Sequence, residues 1–380
     1  MKIETDDMRD GKKILLESCK KYFVFIIGTR AQLIKVAPVI LECERRNLSC
    51  ILLMTGQHLE TMKDLLHEFG IRTPEHNAVP AREHATVGSL VQWLPRAYRG
   101  VAARLMQLNV SPDFVDIFVH GDTLSTVIGA MAGRRFGARV VHLESGLTSK
   151  KIFDPFPEEI SRRIVFNMAH VAMCPSDDAV EFIKRNYSKC KAVNTFGNTI
   201  VDSVLCVGVD KVSKRADREY IVVSLHRFQN IYDKSRLSYL VDIVDKIAEK
   251  YCIYFVLHPA TRKRLMKQNL MQSLEKNKNI NLSPRLGYGD FLRLAAKSSC
   301  VLTDGGSNQE ELAVLGVPAI VMRQSTERDD GVGVNAIMEK DIPSGVVDYI
   351  FSNQFHVLKK QGVDIKNSPS KNIVDWILCN

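Results

Sequence analysis

Six consecutive apolar residues, Tyr22–Ile27, end at Gly28-Thr29-Arg30 and are followed by a helical pattern. A strand that is apolar at every position has both faces covered, as in a parallel sheet wrapped by helices. The helix is expected over residues 32–46. Leu33, Ile34, Ala37, Val39, Ile40 and Leu41 mark its buried face, and Pro38 falls near its first turns. Alternation continues with strands at 50–54, 114–119 and 138–143 and helices ending near 68, at 87–108 and at 124–136. Residues 72–86 read as loop. A helix at 160–170 and short strands near 171–174 and 191–195 complete this half. The pattern resets near 196–210. Strands at 220–225, 252–257, 300–303 and 318–322, with helices at 235–250, 289–298 and 308–315, form a second half. An amphipathic helix at 371–378 closes the chain. Strand–helix alternation of this kind specifies an α/β fold of Rossmann-like domains. The expected boundaries are an N-terminal extension at 1–20, a first domain at 21–195, a second at 196–365 and a terminal helix at 366–380.

With 380 residues, 45% hydrophobic and 25% charged, the chain can bury a sizeable core. No apolar run approaches the ~20 residues that span a bilayer. The charged first residues lack the apolar core of a signal peptide, so the expected location is the cytoplasm. The net charge is +9. Its basic residues are dispersed and not interleaved with aromatics, which argues against nucleic acid and suits a polyanionic small ligand. The nine cysteines form no CxxC pair and are odd in number. They read as buried thiols in a reducing compartment, with no metal site.

The chemistry concentrates in residues 119–159, where three carboxylates end apolar or structured runs. Groups at the carboxyl ends of parallel strands collect along the ligand-binding edge of the sheet. Asp122 follows the first run and also suits the cap of the helix at 124–136. Glu144 follows a strand and precedes Ser-Gly, where burial without a role is costly. Glu158 sits behind Asp154-Pro155-Phe156-Pro157 and also suits the first turn of its helix. The turn at Gly28–Arg30 faces an anion to a helix N-terminus, with Arg30 and Lys35 adding positive charge. In the second half, His226 and His258 end successive strands. Residues 304–311 (DGGSNQEE) are either a well-made helix start capped by Ser307 or Asn308, or a diphosphate cradle. Arg323 and the Thr326-Glu327-Arg328 segment follow the next strand, where a guanidinium can pair a phosphate.

Taken together, GTRAQLIKVAPV at 28–39, TGQH at 55–58, HGDTLST at 120–126, HLESGL at 142–147 and FPEEISRR at 156–163 are similar to motifs of the UDP-N-acetylglucosamine 2-epimerase family. So are GNTIVDS at 197–203, HR at 226–227, HP at 258–259, DGGSNQEE at 304–311 and LGVPAIVMRQSTER at 315–328. The resemblance covers roughly residues 22–335. It implies a glycosyltransferase-B-like architecture, with two Rossmann-like domains facing each other across a cleft and the terminal helix returning to the first. It also implies a homodimer without redox cofactor, acting on a UDP-N-acetylhexosamine. The implied reaction inverts C2 by eliminating UDP to a 2-acetamidoglucal and adding it back. By motif, Asp122, Glu144, Glu158 and His226 resemble the catalytic set. Arg30, Lys35, Gln57, His58, His258, Gly305, Gly306, Ser307, Glu311 and Arg328 resemble the substrate contacts.

Some positions depart from the family pattern. Ala31-Gln32 stands where Pro-Glu is usual, Thr148 where an arginine is, and Gly305 where a serine is. The three carboxylates are retained. A hydrolysing epimerase that releases the free 2-epimer, a UDP-sugar glycosyltransferase and a non-catalytic nucleotide-sugar binder are the competing readings. The non-hydrolysing epimerase fits best, through retention of IKVAPV, TGQH and GDT.

Overall fold

The computed structural model describes residues 21–56, 62–79, 87–149, 157–209, 219–323, 331–359 and 367–380, and only the backbone of 87–91. The chain divides into two compact units, one formed by residues 1–199 with 367–380 and the other by 200–366.

The first unit begins with β1 (Tyr22–Ile27), α1 (Arg30–Arg45), β2 (Ser49–Met54), α2 (Lys63–Phe69), β3 (Glu75–Asn77) and α3 (Val87–Met106). It continues with β4 (Val115–His120), α4 (Leu124–Phe136), β5 (Arg139–Leu143), α5 (Glu158–Met168), β6 (Val171–Cys174), α6 (Asp177–Asn186) and β7 (Lys191–Asn194). The strands pair in parallel in the order β3-β2-β1-β4-β5-β6-β7. Both faces of β1 are covered, which is why its sequence does not alternate. Tyr22, Val24 and Ile26 pack with Trp93, Ala97 and Val101 of α3. Phe23 and Phe25 turn the other way onto Phe118, the second stacked at 4.7 Å. Helix α4 sits tightly against this sheet, since a Cβ at Gly129 would lie 2.7 Å from Val119 Cγ1.

The second unit holds α7 (Ile200–Cys206), β8 (Tyr220–Ser224), α8 (Phe228–Ile231), α9 (Lys234–Ile247), β9 (Cys252–Leu257), α10 (Pro259–Lys267) and α11 (Met271–Lys276). Then come β10 (Ile280–Pro284), α12 (Tyr288–Lys297), β11 (Cys300–Thr303), α13 (Gly306–Leu315), β12 (Ala319–Val321), β13 (Ala336–Met338) and α14 (Val346–Phe351). Its sheet is also parallel, in the order β10-β9-β8-β11-β12-β13. Its core joins β8, β9 and β11 to Leu237, Leu240, Val241 and Val244 of α9. The final helix α15 (Pro369–Cys379) belongs to the first unit and packs on α1, where Arg46 pairs Asp375 at 2.6 Å.

Several details differ from the sequence expectation, which did not include β10 and β13. β3 lies inside the stretch read as loop, because three residues reading Glu-His-Asn carry no apolar signal. Pro38 lies in the interior of α1 rather than near its first turns, since the helix starts at Arg30. Helix α13 starts at Gly306 with Gly305 as its cap, so Ser307 and Asn308 are inside the helix and cap nothing. No helix among the described residues is long and apolar enough to cross a membrane.

Candidate active site

In both sheets the strand order reverses direction beside the first strand, between β1 and β4 and between β8 and β11. Connections leave such a switch point on opposite sides, opening a crevice at the strands' carboxyl ends. Several of the polar residues singled out from the sequence that fall among the described residues lie at the carboxyl ends of these two sheets.

In the first unit, β1 runs into α1 through Gly28-Thr29. A Cβ at Gly28 would lie 1.9 Å from Ser125 Oγ and 2.5 Å from Thr55 Oγ1, so only glycine fits. Thr29 and Gln32 form a capping box at the start of α1. Gln32 also reaches the neighbouring strand. Its Oε1 accepts from Gly28 N–H at 2.8 Å, while its Nε2 donates to His120 O at 2.8 Å and Thr126 Oγ1 at 3.0 Å. One amide therefore ties the β1–α1 turn to the end of β4.

Asp122 follows β4 through Gly121, whose φ is +66° and whose N–H donates to Leu143 O. Thr123 caps α4, not Asp122. The Asp122 carboxylate instead accepts from Arg162 Nη2 at 2.5 Å. Behind this pair, the fully buried Glu159 accepts from Thr148 Oγ1 at 2.6 Å, Ser149 N–H at 3.2 Å and Arg163 Nε at 3.1 Å. Glu158 opens α5, and its Oε2 is buried with no hydrogen-bond partner among the described residues.

Glu144 follows β5 with φ +56°, in the left-handed region that non-glycine residues rarely adopt. Lys35 of α1, itself buried, pairs with its carboxylate. Asn198 Nδ2 donates to the same oxygen at 2.7 Å, and His120 Nε2 lies 3.7 Å from it. Close by, the buried His142 donates from Nε2 to Gly121 O at 2.8 Å, and burial pushes its imidazole down to about 4.

The second unit presents a different chemistry. Asp304 is fully buried at the end of β11. Its carboxylate accepts from His226 N–H at 2.9 Å, Arg227 N–H at 3.0 Å and Asn230 Nδ2 at 2.8 Å. Those donors satisfy the charge and fold the β8 end back over β11. His226 stacks on His258 with ring centroids 5.5 Å apart. Burial holds the His226 imidazole below its ordinary value against the pull of Asp304, with Arg227 and Arg285 adding to the lowering. Burial and the neighbouring His226 bring His258 down to about 4. A cavity of about 370 Å³ opens here, lined by His226, Arg227, Phe228, Gly305, Gly306, Ser307 and Asn308. It sits at the N-terminus of α13, whose first N–H groups and dipole suit an anion.

The structure thus joins Lys35 to Glu144, and His226 to His258, Gly305, Gly306 and Ser307. Arg30 is half-buried at the first position of α1, and Glu311 is buried within α13. Gln57, His58 and Arg328 lie outside the described residues. Sequence reasoning missed His120, His142, Arg162, Glu159, Asn198 and Asp304 as members of these clusters. The histidines at the ends of β4 and β5 were the available signal.

Several known proteins resemble this chain. The UDP-N-acetylglucosamine 2-epimerase family model matches residues 41–349. The UDP-N-acetylglucosamine 2-epimerase of Methanocaldococcus jannaschii is 32% identical over 326 residues, 82% of this chain and 86% of that protein. The enzyme of that name from Bacillus subtilis (strain 168) is 27% identical over 315 residues, 81% of this chain and 80% of that one. Among solved structures, the M. jannaschii UDP-GlcNAc 2-epimerase in complex with UDP-GlcNAc and UDP superposes with a TM-score of 0.75 at 27% identity. That match covers 94% of this chain and 99% of that one.

Proposed function

This chain belongs to the UDP-N-acetylglucosamine 2-epimerase family, and on that premise we propose that it epimerises a UDP-N-acetylhexosamine at C2, interconverting UDP-GlcNAc and UDP-ManNAc or a close relative, for surface polysaccharide precursors. One observation carries the reading. Asp122 and Glu144 stand at the carboxyl ends of the paired strands β4 and β5, with Glu158 opening the helix that follows β5.

The chemistry needs such a set. The C2 proton is weakly acidic, because C2 bears nitrogen and no carbonyl. In the proposed elimination a carboxylate takes that proton, the C1=C2 bond forms, and the C1–O bond breaks as UDP leaves with its electron pair. In re-addition a carboxylic acid returns a proton to the opposite face of C2 while a diphosphate oxygen attacks C1. The two faces require two differently placed proton-transfer groups. Asp122, Glu144 and Glu158 are assigned to them, with Lys35 paired to Glu144. The nucleotide end is assigned to the second unit. There the α13 N-terminus, Gly305, Gly306 and Ser307 receive the diphosphate, and His226 with His258 stabilises its charge on departure. Arg30, Gln57, His58, Glu311 and Arg328 remain assigned as substrate contacts.

Incubation with UDP-GlcNAc in deuterated water, followed by NMR, tests the reading. The expected result is UDP-ManNAc with deuterium at C2. Free ManNAc with UDP would establish the hydrolysing alternative, and transfer of the sugar without exchange at C2 the glycosyltransferase one. The homodimer and the cytoplasmic location expected from the sequence belong to this proposal too, and light scattering and cell fractionation test them separately.

A further inference from the structure

The GNTIVDS motif at 197–203 has no part in the chemistry above, yet its Asn198 reaches Glu144, a carboxylate assigned to that chemistry. After β7 the chain makes a turn in which Phe196 takes φ +57° and Gly197 φ +136°. Phe196 is a bulky residue in a conformation that costs ~1–3 kcal/mol, and its side chain is 66% exposed, so side-chain burial does not account for the conformation. Strain of this kind persists only where surrounding structure holds it.

Here the holding elements are visible. Asn194 Oδ1 accepts from Phe196 N–H at 2.7 Å. Thr195 Oγ1 lies 2.9 Å from Cys174 O and 2.8 Å from Gly197 O. The C-terminal helix completes the brace. Asn372 Nδ2 donates to Thr195 O at 3.1 Å, and a Cβ at Gly197 would lie 3.2 Å from Pro369 Cγ. The product of the turn is the Asn198 amide, 2.7 Å from Glu144 Oε2. Glu144 is itself in a left-handed conformation. The turn that holds the strained Phe196 therefore presents Asn198 to the strained Glu144, 54 positions away in sequence.

We propose that Asn198 is a positioning residue for the epimerisation, held by the strained turn and the C-terminal helix so that its amide orients the Glu144 carboxylate and favours its charged form. A donor on a carboxylate oxygen stabilises the ionised state and fixes which lone pair faces the substrate. Side-chain amide and ammonium, from Asn198 and Lys35, converge on the same oxygen. This inference rests on the reading of Glu144 as an acid–base group.

The test uses the full chain with Asn198→Ala and Asn198→Asp, and Glu144→Gln as reference. In Asn198→Ala, kcat is expected to fall about tenfold to a hundredfold, the worth of one hydrogen bond to a charged group. KM for UDP-GlcNAc should stay within about threefold, since the bond acts on the reacting group and not on binding. The acidic limb of the kcat–pH profile should move to higher pH, and further in Asn198→Asp, which sets a second carboxylate against the first. Carboxyl ¹³C NMR reads the Glu144 midpoint without turnover, the resonance being assigned by its loss in Glu144→Gln. It should rise in Asn198→Ala. If that variant fails to fold, Asn198→Asp and the brace variant Asn372→Ala carry the same readouts. An unchanged midpoint together with an unchanged acidic limb overturns the positioning role. A protein that leaves C2 unexchanged while the midpoint still moves would instead overturn the functional reading and leave only the orienting of Glu144 by Asn198 standing.

Discussion

Arg162 Nη2 donates to Asp122 Oδ2 at 2.5 Å, joining the turn after β4 to the second turn of α5. The same guanidinium approaches Glu159 Oε2 at 3.5 Å. Arg162 thus sits between one carboxylate assigned to catalysis and another that is wholly buried. Removing it leaves the Asp122 carboxylate without this partner and takes one of two guanidinium neighbours from the buried Glu159, which keeps Arg163 Nε at 3.1 Å. Arg162→Met should lower unfolding free energy by about 3 kcal/mol, measured by urea denaturation. Adding Glu159→Gln should restore part of the loss, because one of the two carboxylates that shared the guanidinium is then neutral. Strict additivity of the two changes would contradict this account.

Gln32 stands where the family pattern has glutamate, and its contacts require an amide. Nε2 donates to both His120 O and Thr126 Oγ1, and Thr126 Oγ1 already donates to His120 O at 2.6 Å. A carboxylate there would face those acceptors without a proton to give. Gln32→Glu is expected to cost about 1–3 kcal/mol at neutral pH. The new carboxyl would be protonated more readily folded than unfolded, so its folded pKa is raised. The stability it retains is then present at low pH and lost as pH rises through that value. Thermal unfolding at several pH values should show the deficit of the variant shrinking as pH falls. A deficit independent of pH would mean that the network rearranges around a charged side chain.

These two positions show what the sequence could and could not convey. Strands β1, β4, β5, β8, β9 and β11 were legible because burial within the sheet writes a largely apolar run. Asp122, Glu144 and His226 were legible because each directly follows such a run. The neighbours Glu158 and Glu159 could not be told apart. Only packing decides that Glu159 enters the ionic network while Glu158 keeps a buried oxygen without a hydrogen-bond partner among the described residues. Gln32 read as a departure from the usual glutamate, since its partners are 88 and 94 positions away. The start of α13 was misjudged because Ser and Asn are good caps, whereas the close approach of Gly305 to His226, 3.0 Å for an added Cβ, is a tertiary fact.

His142 gives the first unit a pH dependence of definite sign. Its imidazole is held down to about 4 by burial, from 6.5. Between those values the unfolded chain binds a proton that the folded one does not. Stability therefore rises with pH across that window and is lost as pH falls through it. The full span amounts to about 3 kcal/mol at most. His142→Asn removes the titrating group, and the slope of unfolding free energy between pH 6.5 and 4 should flatten relative to wild type. The comparison isolates His142 from other groups titrating in the same range.

His226 makes a complementary prediction for the second unit. In the unliganded protein its imidazole is held below its ordinary value, chiefly by burial. A diphosphate at the Gly305–Gly306 helix start would bring negative charge to the ring and favour the imidazolium. UDP binding should then be accompanied by proton uptake, and affinity should rise as pH falls towards the free-state value, by at most about tenfold per pH unit. Isothermal titration calorimetry in two buffers of different ionisation enthalpy measures the uptake directly. His226→Asn should bind UDP more weakly and lose most of the buffer dependence. His226, rather than His258, lines the cavity in which the diphosphate would sit. His258→Asn should therefore leave the uptake largely in place, and the reverse pattern would transfer the role of proton acceptor from His226 to His258.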